Sequence, residues 1–494
     1  MVSRLRRGRK VPPFAHRDRR SVETRLAEIR SLVEEGSAGD PETLLVALAD
    51  PDARLRQAAA VALGRRKDAR GRSALEASLH DPDANVRSSA AEALGGIGRR
   101  ESREPLEHAL GDASERVREH AAWSLWTVGD ARSRPALAPL LHDADANVRR
   151  AALAAFGRWP HPASTPALVM ALADPNDRVR REATFGLGRS GDPSVPDLIR
   201  PLLDDPSRRV RIATAVVLGT LKDGGSVPTL LERLEKEENW GKPAILIALG
   251  RIGDRRAVPA VIRHAADDRG WMRVCALHAI GDLGAPEGHP VAVEALSDPL
   301  WSVRGAATDC LGRVGGADDL AALLGVLEDP HPWPRRGAIY ALGLLDMTEA
   351  APRIREELRH PIAEVRLAAA WALGRLRDDG AREGLVALLR QVHPSRGEHR
   401  MIAEGEGAVR LLSDAEGRLF DTIIQALGRL GQGEFDPFVA RAILEARARV
   451  TEDDLERLAR LPEPETPKGG TPPTLRLLFE TALPASADED EIGC

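Results

Sequence analysis

Residues 81–98 read DPDANVRSSAAEALGGIG, and residues 143–160 read DADANVRRAALAAFGRWP. The Asp and Arg of these near-copies either carry local chemistry or recur as parts of a wall. Stepping 31 residues in both directions from Arg87 meets Arg56, Arg118, Arg149, Arg180, Arg211, Lys242, Arg273, Arg304, Arg335 and Arg366, eleven basic residues in one unbroken register. Six residues before them stand Asp50, Asp81, Asp112, Asp143, Asp174, Asp205, Lys236, Asp267, Asp298, Asp329 and His360. A Leu-Gly pair follows the Arg in most copies, as at Leu63-Gly64, Leu94-Gly95, Leu187-Gly188, Leu218-Gly219, Leu311-Gly312 and Leu342-Gly343. A period of this length marks an array of small stacked units.

Each unit reads as two helices. The second begins near Val86, and Val86, Ala90, Ala93, Leu94 and Ile97 share one face of it. Its alanines let neighbouring helices approach, and Gly95 and Gly98 are expected to end it in a left-handed cap. The first helix carries Pro in its first turn, as at Pro166, Pro196, Pro228 and Pro259. One hairpin cannot bury its apolar face alone, so stacking is required. The expected fold is all-α: a right-handed α-solenoid of stacked antiparallel helix pairs.

The D-P-D-x-x-V-R-x-x-A-A-x-A-L-G-x-I-G columns resemble the HEAT-repeat family, in particular the short HEAT-like repeats of phycobilin lyases. The resemblance spans residues 40–435, about twelve units. It implies the fold and leaves activity open, since such repeats serve scaffolds, adaptors, lyases and hydroxylases. The hydroxylases hold iron through His-Glu dipeptides, and none of the 13 histidines here precedes a Glu. No metal, cofactor or catalytic residue is assigned.

Composition narrows the classes. Apolar residues make up 43% of the 494, yet aromatics only 3%, which suits close-packed helices better than sheets. The three cysteines, Cys275, Cys310 and Cys494, form no CxxC pair and point to a reducing compartment. No apolar run approaches the ~20 residues of a spanning helix, and the basic N-terminus lacks the apolar core of a secretory signal. A cytoplasmic protein is expected. A net charge of −5 excludes a polycation as a whole.

Around the array, residues 1–20 form a basic arm, 21–39 an N-terminal capping helix, 436–460 C-terminal capping helices, and 461–494 a Pro/Gly linker with an acidic tail. An insertion near 391–413 interrupts the last repeats before a twelfth copy resumes at Asp414, Leu419 and Phe420.

The Asp and Arg columns, with Asp81, Arg87, Asp143, Arg149, Asp174, Arg180, Asp205 and Arg211 as typical members, are expected to bond unit to unit. A charge present in every unit defines no single site. Partner-reading positions are instead expected one, five and nine residues after the ladder Arg, on the concave face. There the scarce aromatics collect beside arginines: Trp123, Arg150, Arg158, Arg181, Phe185 and Arg189, then Arg336, Tyr340, Trp371 and Arg375. Such residues dominate protein interfaces. The expectation is a non-enzymatic scaffold for a protein or peptide partner. A nucleic-acid solenoid using the basic arm and inner arginines is the first alternative. A phycobilin-lyase-like tetrapyrrole chaperone is the second, implied by the resemblance.

Overall fold

The computed structural model describes residues 21–34, 42–159, 161–237 and 241–391, with positions 422, 423 and 426. The basic arm, the insertion beyond Gln391, nearly all of the twelfth repeat and everything after it lie outside the described residues. Among the described residues all regular structure is helical. The chain divides into two compact units, Met1–Ala248 and Leu249–Cys494, and each is an α-solenoid of stacked helix pairs.

The copy at residues 69–98 shows why this sequence folds so. A 3-10 turn, Ala69–Gly71, leads into a short first helix, Arg72–Ser78. The chain then reverses through Asp81, whose carboxylate accepts the Asp83 N–H at 2.9 Å. Asp83 caps the second helix, Ala84–Ile97, accepting the N–H groups of Asn85 and Val86. Side-chain oxygens satisfy helix-start donors that otherwise lack partners. Gly98 closes the helix at φ 73°, a conformation that disfavours a Cβ.

Gly95 does not end the helix as expected. It lies inside Ala84–Ile97, where an added Cβ would stand 2.3 Å from Ser124 Oγ of the next second helix. The reason is packing. At the same column a Cβ on Gly64 would meet Ala93 Cα at 2.7 Å, and one on Gly250 would meet Ala279 Cα at 2.9 Å. Successive second helices therefore touch backbone to backbone, whereas successive first helices make little contact.

The core repeats as well. The Leu of the Leu-Gly pair (Leu63, Leu94, Leu187) and a Leu of the first helix (Leu75, Leu106, Leu137, Leu168) are all essentially inaccessible. Each such side chain contributes roughly 1.5–3 kcal/mol by burial. Ser88, Ser89 and Ala91 are buried too, beyond the expected stripe, because a second helix is flanked on both sides by its neighbours.

Candidate functional site: the face of the second helices

Most of the repeated arginines are engaged in full. Arg87 donates from Nε and Nη2 to both carboxylate oxygens of Asp112, at 2.7 and 2.9 Å. Its Nη1 donates to the carbonyls of Asp81 and Pro82 in its own turn, at 2.8 and 3.2 Å. Arg56, Arg118, Arg149, Arg180, Arg273 and Arg304 repeat the bidentate bond to an Asp 25 residues on: Asp81, Asp143, Asp174, Asp205, Asp298 and Asp329. In the degenerate copy Lys236 occupies the Asp column, and Arg211 reaches the adjacent Glu237 instead, at 2.8 and 2.6 Å. Column alignment missed this substitute by one residue. Where His360 replaces Asp, Arg335 donates from Nε to the Asp329 carbonyl, and its carboxylate neighbour is Glu357 at 3.7 Å. Where the pair is complete, the guanidinium donors are used within the protein.

In the first unit, the second helices Glu115–Val128, Ala146–Phe156 and Asp177–Ser190 carry the expected patch. Arg150 lies over the Trp123 ring at 5.4 Å, with Glu119 at 3.8 Å from its Nη2. Arg181 lies over Phe185 at 5.5 Å. Arg158 pairs with Trp126 rather than Trp123, at 4.3 Å, and Trp126 is among the most exposed large side chains. Arg189 donates to the Gly157 carbonyl at 3.1 Å and approaches Glu182 at 3.7 Å. Burial pushes the Glu182 carboxyl up and the Arg189 guanidinium down, each partly offset by the other's charge.

In the second unit, Tyr340 and Trp371 meet at 5.1 Å with rings tilted by 59°. Arg375 lies over Trp371 at 5.9 Å, donates to the Gly343 carbonyl at 2.7 Å and stands 3.3 Å from Asp346. The ninth-column residues Arg189 and Arg375 thus play the same structural role, since each closes the C-terminal end of the preceding second helix. Arg336 stacks at 3.9 Å on Trp333 of its own helix. Arg336 and Tyr340, expected on an open face, are only 4% and 8% exposed, because neighbouring second helices crowd these columns. Ser88 is buried for the same reason, while Glu92 and Gly96 are exposed.

Residues outside the two expected patches also stand out. His278 and Asp309 occupy the aromatic column itself, and Arg313 bonds Asp282 beside them. Elsewhere in this unit Leu300 and Ile362 hold N-cap positions without any side-chain cap, and they are exposed along with Trp271 and Trp301. The Trp301 ring stacks on His331 at 4.1 Å. For Leu300 and Ile362 the signal was present as a loss: apolar residues at an N-cap column where Asp52, Asp83, Ser114, Asp145, Asn176 and Ser207 stand in earlier copies.

Cys275 and Cys310 are buried, and burial pushes their thiols up to about 11 and about 12. No cluster of three metal-ligating side chains occurs among the described residues. No helix among them is long and apolar enough to cross a membrane.

The family model for HEAT repeats matches seven overlapping segments: residues 16–94, 41–126, 72–146, 134–219, 195–274, 265–343 and 320–399. No curated protein sequence matches the chain. Among solved structures, the Escherichia coli protein YibA is 22% identical with a TM-score of 0.41, covering 55% of this chain and all of its own. Kap95p, solved bound to RanGDP, is 13% identical with a TM-score of 0.48, over 93% of this chain and 73% of that one. An importin beta structure gives 13% and 0.48, over 87% and 68%.

Proposed function

Because the chain belongs to the HEAT-repeat family, we propose that it is a non-enzymatic scaffold holding a protein or peptide partner along the face of its second helices. One observation carries this reading. In a chain with only 3% aromatic residues, Trp123, Phe185, Tyr340 and Trp371 fall in one column. Arginines lie over three of those four rings: Arg150 on Trp123, Arg181 on Phe185 and Arg375 on Trp371. Aromatic and Arg side chains anchor most protein interfaces, and an arginine held on a ring loses little further freedom on binding.

The test is capture of partners from a cell lysate by the tagged protein, with and without nuclease, compared with Trp123→Ala/Trp371→Ala. The double variant is expected to keep its helical circular dichroism and lose at least about tenfold in captured protein, as anchor truncations do. Unchanged capture would reject this face as the binding surface. Recovery abolished by nuclease would replace the protein partner with nucleic acid.

A further inference from the structure

In the first unit the glycine of the Leu-Gly column is replaced once: Trp126 stands where Gly64, Gly95, Gly157, Gly188 and Gly219 stand in the neighbouring copies. The replacement redirects an arginine. Arg189 and Arg375 each donate to the carbonyl of the column glycine before them, at 3.1 and 2.7 Å. Arg158 occupies the same place after Trp126, and its guanidinium lies over the indole ring at 4.3 Å instead. It makes no hydrogen bond and no ion pair among the described residues. Trp126 is 41% exposed and Arg158 is exposed beside it, so the pair is open to a ligand.

Three more guanidinium groups share this surface. The charge of Arg158 acts on Arg189, and those of Arg189, Arg181 and Arg150 act on Glu182, so the four arginines form one cluster. Arg181, like Arg158, lies over a ring without a hydrogen bond or ion pair among the described residues. The carboxylates of the cluster are Glu119, 3.8 Å from Arg150, and Glu182, 3.7 Å from Arg189. Cations therefore outnumber anions here. Unlike the ladder, this excess is confined to a few copies. The second helices on either side carry Ser88, Glu92 and Gly96, then Ile212, Val216 and Thr220, in the same three columns. Like charges gathered on one surface repel, and an anionic partner relieves that cost.

We propose that this cluster is the contact for an acidic segment of the protein partner, with Asp or Glu carboxylates spaced along the segment pairing with Arg158 and Arg181. A guanidinium held over a ring keeps its in-plane donors for a carboxylate and has little side-chain freedom left to lose. A nucleic-acid backbone would need a continuous basic track, and the flanking helices interrupt it. The proposal rests on the scaffold reading and supplies the charge of the partner.

The experiment is a titration of a hexaglutamate peptide into the full chain labelled with ¹⁵N-tryptophan, followed by NMR. The Trp126 indole, under Arg158, reports on the cluster, and the Trp371 indole of the second unit serves as reference. Trp126 is expected to shift saturably while Trp371 stays still. Hexaglutamine, without charge, should bind at least about tenfold more weakly, the difference expected of a charge-assisted bond. Arg158→Gln breaks no native hydrogen bond, so it should keep the wild-type melting curve and lose the same factor. Arg65→Gln, at an exposed arginine of the same column outside the cluster, should bind like the wild type. Equal binding of hexaglutamine, full binding to Arg158→Gln, an equal loss in Arg65→Gln or a non-saturating shift would each overturn the proposal. Tighter binding of oligothymidylate than of hexaglutamate at Trp126 would overturn it in favour of nucleic acid. The scaffold reading fails separately, by aromatic-independent capture.

Discussion

At the scale of single residues, the ladder turns a repeated sequence signal into a measurable energy. Arg149 and Asp174 are largely buried and joined by two parallel bonds, so removing one partner strands the other. Arg149→Ala should destabilise the chain by about 3–5 kcal/mol in urea unfolding, the range for breaking a largely buried pair. Replacing both members by Met should cost much less than the two single changes combined, because no charge is then stranded. The caps allow the opposite experiment. Leu300 and Ile362 stand where Asp52, Asp83 and Asp145 cap their helices. Leu300→Asp is expected to stabilise by about 0.5–2 kcal/mol through the restored N-cap bond, read from the same unfolding curves.

At the scale of helices, glycine shows how much was legible and what was not. The Leu-Gly column was visible in the sequence and so were the helix pairs, because both follow from period and apolar spacing. The role of Gly95 was not, since a glycine near a helix end serves a cap or a close approach equally well until the neighbouring helix is placed. The open face was overestimated at Arg336 and Tyr340 for the same reason: a column tells which side of a helix a residue occupies, while burial depends on how near the next helix comes. The Asp column alignment likewise passed over Glu237, because a carboxylate one residue along and one methylene longer reaches Arg211 equally well. Two substitutions separate the roles of glycine. Gly325, near the end of helix Leu320–Val326, has nothing within 4 Å of an added Cβ, so Gly325→Ala should stabilise by roughly 0.5–1 kcal/mol. Gly64→Ala forces a Cβ to 2.7 Å from the Ala93 backbone and should destabilise by about 1–3 kcal/mol in spite of its better helix propensity.

At the scale of the whole molecule, contacts that are local and repeated make stability close to a sum over interfaces, so a pH change acts on many interfaces at once. The Arg56 hydrogen bond holds the Asp81 carboxyl below its ordinary range. Burial alone would raise Asp112, Asp143, Asp174 and Asp329, but their arginine and backbone hydrogen bonds prevail and hold them low as well. A carboxyl lowered on folding contributes stability that is present above its unfolded pKa of about 3.9 and is lost as pH falls through the folded value. His278 and His360 are lowered by burial, so they resist the proton that the unfolded chain accepts below about pH 6.5, and stability declines from there. Acid unfolding followed by circular dichroism should therefore show two stages, a shallow loss beginning below about pH 6.5 and a steep one below about pH 4. His278→Gln should flatten the first stage and leave the second in place. A shallow stage untouched by that substitution would remove His278 from this account and leave His360 as its source, and a single steep stage in the wild type would leave the ladder alone responsible for acid sensitivity.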